Sequence, residues 1–490
     1  MMSNLAHASP SHDHVSVPRH KYASKNIYQL LSKDAPDNAD RDLARKYLAQ
    51  QLAATRTYAG DLPADDNVLA EWISRNTEAV GHAYREYLAE RKNGAPRRYF
   101  SNKSHALYFL KSVAPSKLVD GSWLYGLLQR WDDPDFYELI RIYLEELGDG
   151  VPEKNHVVLY KKLLATHGCG QWENLSDEHF VQGAIQLSLA YDAGHFLPEL
   201  IGYNLGYEQL PLHLLITAFE LNELGIDPYY FTLHVTVDSA GTGHAQKALQ
   251  GLQRLMPRVG DKRAFYRRVM DGYKLNDLGA STTSVITSFD LETELIGILA
   301  AKSVVGKNMH SDYCRVAGRT VNDWLSVPEQ IPDFLQSLES AGWIKRGEDV
   351  ENSRFWRLIQ GERAEMFGVF SAYEQQVLRD WIAAPRENAF VPPRVATHRA
   401  KQRSLGILGQ HSARQHRPAE TRGIIRHAFP RDDLDDQEFG SDLRLLEARI
   451  AMFDNKEEAM QALTALMSPA AHHTSAGLMA TRVFIRLLDR

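Results

Sequence analysis

Apolar residues recur at spacings of three and four along residues 26–57 and 66–93, with Pro and Gly clusters between the periodic stretches. That period places them on one face of a helix, so both segments are predicted as amphipathic helices. From Ser104 the apolar content rises, and HALYFLKSVAPSKLVDGSWLYGLLQRW followed by DPDFYELIRIYLEELGDG predicts two more, the second ended by Gly148 and Gly150. Pro152 suits the first turn of the helix that carries His156. Further helices are expected over 177–192, 197–223, 228–255 and 261–273. No β-alternation of comparable length appears, so the predicted core is all-α.

The C-terminal third is more mixed. Residues 318–370 show a helix, an AGW turn and short apolar runs, the outline of a winged-helix pattern. Acidic residues are interspersed and no strongly basic recognition helix is visible, so packing against the helical core is expected in preference to DNA binding. Residues 386–431 are rich in Arg and His with weak periodicity, which reads as a linker or as a lid that guides an anionic substrate. The expected organisation is a disordered leader over 1–25, a helical domain over 26–310, a mixed helical, winged-helix-like region over 311–385, an Arg/His-rich linker or lid over 386–435, and C-terminal helices over 436–490.

With 490 residues and 44% hydrophobic content, the chain can bury a large core. A formal charge of −6 argues against a general nucleic-acid binder. Cys169 and Cys314 form no metal-finger spacing, and a reducing cytoplasm fits them best. The N-terminal stretch lacks an apolar signal region, and no segment reaches the roughly 18 uninterrupted apolar residues of a membrane span. The histidines of the leader, His7, His12, His14 and His20, read as part of a polar tail.

The chemistry concentrates between Glu199 and Ala245, where two apolar, helix-length segments carry Glu208, His234, Asp238 and His244. Carboxylates and imidazoles inside apolar helices are costly unless compensated, and a bound cation is the strongest compensator. His234 and Asp238 are four apart and share a helix face, whereas His244 falls roughly 80° around from His234 on an ideal helix. Gly241 and Gly243 can loosen that turn. Glu146 and His156 supply a candidate second half of the site. Asp120, in the turn KLVDGSW, reads as a helix cap, with an extra ligand or proton acceptor as the other role open to it. Glu199, just after Pro198, reads as a first-turn carboxylate favoured by the helix dipole. His195 and His213 read as supporting or structural.

In this order, Glu146, His156, Glu208, His234-x-x-x-Asp238 and His244 resemble the ligand series of the haem-oxygenase-like diiron oxidases and oxygenases, also described as iron-containing redox enzymes. The resemblance spans about residues 100 to 260. The usual spacing of its last ligands is His-x-x-x-Asp-x-x-His, whereas five residues, SAGTG, separate Asp238 from His244 here. The insertion is close to one helical turn. The nine-residue gap to His156 favours Glu146 over Glu145, which is then expected at the surface. Glu208 is preferred to Glu199 because it is expected deeper in its helix.

The resemblance implies a haem-oxygenase-like helical bundle, here with additional N-terminal helices and a mostly helical C-terminal extension. It also implies a non-haem diiron centre of two Fe(II) ions with O₂ as co-substrate. Glu146 and His156 are expected on one iron and His234, Asp238 and His244 on the other, with Glu208 as the bridge. Implied outcomes are amine or amino acid N-oxygenation, desaturation, or oxidative C–C cleavage of a small biosynthetic substrate. An external electron donor and a homodimer remain open, and no membrane partner is expected. The alternatives are a metal-free helical protein of the same fold that binds a cofactor or substrate, or a DNA-binding regulator acting through residues 318–350.

Overall fold

The computed structural model describes residues 22–237, 243–361, 363–384 and 440–489. The leader up to residue 21, Asp238 with the four residues after it, and the Arg/His-rich stretch expected over 386–435 lie outside the described residues.

The all-α bundle predicted from apolar spacing is what the chain forms. Helices α1 (Ser24–Leu31), α2 (Asn38–Ala54) and α3 (Leu69–Lys92) occupy the two N-terminal amphipathic stretches. Asp37 and Asp40 form a reciprocal capping box at the start of α2, which satisfies backbone N–H groups that have no partner inside the helix. The apolar stretch after Ser104 becomes α4 (Lys103–Ser112), α5 (Ala114–Lys117) and a 3₁₀ segment, Ser122–Arg130. Then follow α6 (Tyr137–Glu146), α7 (His156–His167) and α8 (Val181–Tyr191).

Two expected long helices are each divided. Residues 197–223 form α9 (Leu197–Tyr207) and α10 (Leu212–Glu223), because Pro211 lacks a backbone N–H and restricts the residue before it. Residues 228–255 form α11 (Tyr229–Val237) and α12 (His244–Leu255). Helix α13 (Lys262–Tyr273) follows as expected. Pro152 does not open α7, which starts at His156 with Asn155 as its cap; the chain first turns through Gly148, Asp149 and Gly150, all at positive φ.

The C-terminal third comprises α14 (Thr282–Thr287), α15 (Leu291–Gly306), a two-residue antiparallel ladder of β1 (Arg315–Val316) and β2 (Arg319–Thr320), α16 (Val321–Leu325), α17 (Ile331–Ser340), α18 (Arg354–Ile359) and α19 (Ala372–Ala383). The winged-helix outline is not realised. The only described ladder precedes α17, no strand follows that helix among the described residues, and Phe334, Leu335 and Leu338 turn into the core. Past the undescribed stretch come α20 (Gly440–Ile450), α21 (Lys456–Leu466) and α22 (Ser475–Leu488).

Buried apolar side chains form two large groups. One joins α1, α2, the 3₁₀ segment, α6, α8, α9, α12 and α13 to the C-terminal helices, with Ile142, Leu187, Leu205, Val269, Met460 and Phe484 fully buried in it. The other joins α4, α7, α10 and α11 to residues 285–382, with Tyr160, Leu221, Ile331 and Val377 at its centre. Residues 285–382 thus share the second of these groups with α4, α7, α10 and α11. Among the described residues no helix is long and apolar enough to cross a membrane.

Helices α9 and α13 touch backbone to backbone. A Cβ on Gly202 would stand 1.8 Å from the Val269 carbonyl oxygen, and one on Gly272 would stand 2.0 Å from that of Glu199. This contact fixes how α9 sits against α13, and Glu208 caps the end of α9. Gly202→Val must push the two helices apart, and we expect a loss of about 3 kcal/mol, read as a lower urea midpoint at unchanged slope. An unchanged midpoint would show that the crossing is not close-packed.

Candidate metal centre

The site is assembled from chain ends and turns. Glu146 is the last residue of α6, His156 the first of α7, Glu208 the residue capping the end of α9, and His244 the first of α12. His234 lies within α11. Glu146 shares the inward face of α6 with Ile142 and Tyr143 at helical spacing. Its position depends on Gly121: a Cβ there would meet Glu146 Cβ at 2.7 Å and Cγ at 2.9 Å, and φ at Gly121 is +77°. Only glycine combines that conformation with that approach.

Two groups of donor atoms result, each lying within 4.8 Å of one another: Asp120, Glu146, His156 and His234 in the first, and Glu146, Glu208 and His244 in the second. All are buried. In the first, His156 Nδ1 is 2.5 Å from Glu146 Oε2, His234 Nε2 is 3.2 Å from Asp120 Oδ2, and the His156 and His234 rings are 4.1 Å apart. In the second, His244 Nδ1 lies 3.2 Å from Glu146 Oε1 and 2.9 Å from Glu208 Oε2. Glu146 belongs to both.

Hydrogen bonds around the groups select one nitrogen of each outer histidine. His234 Nδ1 faces the Tyr230 carbonyl oxygen at 2.8 Å. A carbonyl only accepts, so Nδ1 carries a proton and Nε2 is presented to the first group. His244 Nε2 faces Glu145 Oε2 at 3.0 Å, and Lys247 Nζ holds both Glu145 oxygens at 2.5 Å. Nε2 therefore donates, and Nδ1 is turned to Glu146 and Glu208. A histidine oriented by a carboxylate or carbonyl is the usual support of a metal ligand.

The charges are strongly perturbed. Burial would raise the Asp120 carboxyl, but the Lys117 ammonium at 3.6 Å and His234 outweigh it and hold it down at about 2. Burial opposes ionisation of Glu146 too, and His156 and His244 hold it well below the usual carboxylate range. Glu145 is likewise held at about 2 against burial by His244 and Lys247. Burial lowers the pKa of His234, but its bond to Asp120 and that residue's charge raise it on balance.

Several polar atoms here have no hydrogen-bond partner: Asp120 Oδ1, Glu146 Oε2 and both ring nitrogens of His156, whose contact with Glu146 lacks hydrogen-bond geometry. His156 is 1% exposed and Glu146 3%. Buried lone pairs left so cost free energy unless something accepts them, and a divalent cation coordinated by nitrogen and oxygen does so. The residues present fit a metal.

The structure thus brings together Glu146, His156, Glu208, His234 and His244; Asp238 lies outside the described residues. The grouping differs from the one expected, because His234 joins His156 and the carboxylate common to both groups is Glu146 rather than Glu208. Asp120 is not a helix cap. The 3₁₀ segment after it has no side-chain cap, and Asp120 accepts from Tyr230 and faces His234. The available signal was an acidic residue in a long apolar stretch, but a DG turn explains it equally well locally. Glu145 is half-buried rather than free at the surface, paired with Lys247 and His244. Glu208 sits at a helix end rather than deep within it, and Glu199 pairs with Arg268 away from both groups. His195 pairs with Asp192, whereas His213 lines a cavity of about 730 Å³ that reaches Glu146, Glu208 and His234.

The family model described as iron-containing redox enzyme matches residues 107–277. That segment holds every member of both groups, and the match agrees with the haem-oxygenase-like bundle implied by the resemblance. No curated protein and no solved structure matches the chain.

The depressed Asp120 has a consequence for the metal-free protein. Its carboxyl contributes stability fully above the ordinary carboxylate range, roughly pH 4, and that contribution is lost as pH falls through about 2. Urea stability of the apo protein should therefore drop over that interval, and Asp120→Asn should flatten the drop. Parallel profiles for the two proteins would contradict the assignment.

Proposed function

We propose, on the premise that residues 107–277 are a domain of the iron-containing redox enzyme family, that this protein is a non-haem diiron oxidase or oxygenase acting on a small organic substrate with O₂. The observation that carries this reading is the pair of buried histidine–carboxylate groups joined at Glu146, with unpartnered donor atoms on His156, Glu146 and Asp120. The donors are imidazole and carboxylate without thiolate, a set that suits iron. Facing helices that point Glu and His inward are the geometry of carboxylate-bridged two-metal sites.

Glu146 is the shared carboxylate. Asp120, His156 and His234 would hold one ion, and Glu208 with His244 would hold the other; Asp238 remains an expected ligand. Two Fe(II) ions bound there would supply electrons to O₂ and so activate it as the oxidant of a substrate. The chain's own residues set the conditions. Glu145 and the Tyr230 carbonyl fix the tautomers of His244 and His234. Tyr230 keeps its phenolic proton aimed at Asp120 Oδ2, 2.5 Å away, and burial with the Asp120 charge pushes the phenol well above its usual range. Phe109, Leu214 and Phe231 give the cavity an apolar wall that limits water beside Glu146 and Glu208. An external electron donor belongs to this reading.

A metal-free binding protein of the same fold is disfavoured because it would leave those buried lone pairs unsatisfied.

Anaerobic titration with Fe(II) should give about two equivalents per chain. Glu146→Ala should abolish both, whereas His156→Ala should spare the ion on the Glu208 side. Full loading of Glu146→Ala would remove the shared-carboxylate assignment. Glu145→Gln should weaken iron binding by about 10- to 100-fold with the helical circular dichroism signal intact, and wild-type affinity would show that Glu145 does not orient His244.

A further inference from the structure

The C-terminal helices lie far outside the family-matched segment, yet they dock on the stretch of chain that carries Glu145, Glu146 and His156. Three polar contacts make the junction. Tyr143 donates its hydroxyl to the Met467 carbonyl at 2.6 Å, Arg482 Nε donates to the Gly150 carbonyl at 3.0 Å, and Asn155 Nδ2 lies 3.3 Å from His472 Nδ1. Met460, Met467 and Phe484 are completely buried in the same core as Ile142 and Tyr143.

The third contact bears directly on a ligand. Asn155 Oδ1 accepts from the Val158 backbone N–H at 3.0 Å and so caps the helix whose first residue is His156. The amide's other end must then donate. Nδ2 reaches the carbonyl oxygen of Leu147, the residue after Glu146, at 3.2 Å, and it reaches His472 Nδ1. One side chain thus ties together the end of α6, the start of α7 and the C-terminal segment. His472 is 1% exposed, with Nδ1 as the acceptor of this bond.

We propose that residues 440–489 form a clamp on the metal centre, in which His472 is a positioning residue that acts through Asn155 to hold Glu146 and His156 in register. The proposal rests on the diiron reading above for its effect on metal, and on hydrogen bonding alone for its effect on the chain.

Two measurements on the full-length protein separate these. In the metal-free protein, His472→Phe should speed amide hydrogen exchange across residues 147–158 by about tenfold, because the Asn155 amide loses one of its two acceptors, the one that ties it to the C-terminal segment. In anaerobic titration with Fe(II), the same variant should bind about tenfold more weakly, and His472→Gln, whose side-chain carbonyl can accept, should restore both. Wild-type exchange and affinity in His472→Phe would overturn the clamp. Faster exchange at unchanged affinity would overturn its positioning role. Should His472→Phe fail to fold, His472→Leu removes the acceptor with less bulk and leaves the Asn155–Leu147 bond in place, and it carries the same expectations and the same overturning results. If the wild-type protein takes up no Fe(II), the diiron reading fails by itself, while the exchange comparison still decides the clamp.

Discussion

The cost of burying Glu146 shapes this structure. Its carboxylate is 3% exposed, between Asp120 and Glu208, in a helical core where an uncompensated ion would be expelled or neutralised. Three histidines approach it and Lys117 stands behind Asp120, yet donor atoms remain without partners. A second cost is steric, since α6 reaches the interior only because residue 121 has no Cβ. Stability is given up at this point in the core, a cost that a bound cation would offset.

Most of the candidate ligand groups stand where helices stop or start. Glu146 and Glu208 close α6 and α9, and His156 and His244 open α7 and α12. Breaks in regular structure let side chains from separate helices converge, because a straight helix turns successive residues away from any single point. The breaks themselves are encoded locally by Pro211, by the Gly148–Gly150 turn and by the Asn155 cap. Around them lies a supporting layer: Glu145 with Lys247 on one histidine, and a backbone carbonyl on another.

The bundle is not self-contained within the segment that matches the redox enzyme family. Helices from both ends of the chain complete its two cores: α1 and α2 pack near α8, residues 285–382 extend the core of α4, α7, α10 and α11, and the C-terminal helices close over α6. The long C-terminal extension is therefore part of the architecture that positions the site.

Apolar spacing alone was sufficient for the helical class and for the helical stretches up to residue 273, because a 3.6-residue period survives any arrangement of neighbours, but not for the breaks that divide 197–223 and 228–255. Acidic and imidazole residues in apolar stretches likewise marked Glu146, His156, Glu208, His234 and His244, since burial of such groups is costly in any fold. Which of them face one another was decided only by the tertiary structure. The approach of Gly121 to α6 makes room for Glu146, the member common to both groups, and the fold brings in Asp120, whose local sequence is that of an ordinary turn. Glu145 shows the same limit: one position along a helix predicts a different face, but not that a lysine and a histidine from another helix will pair with it. Local pattern records the cost of burying a group, and three-dimensional packing selects the partner that offsets it.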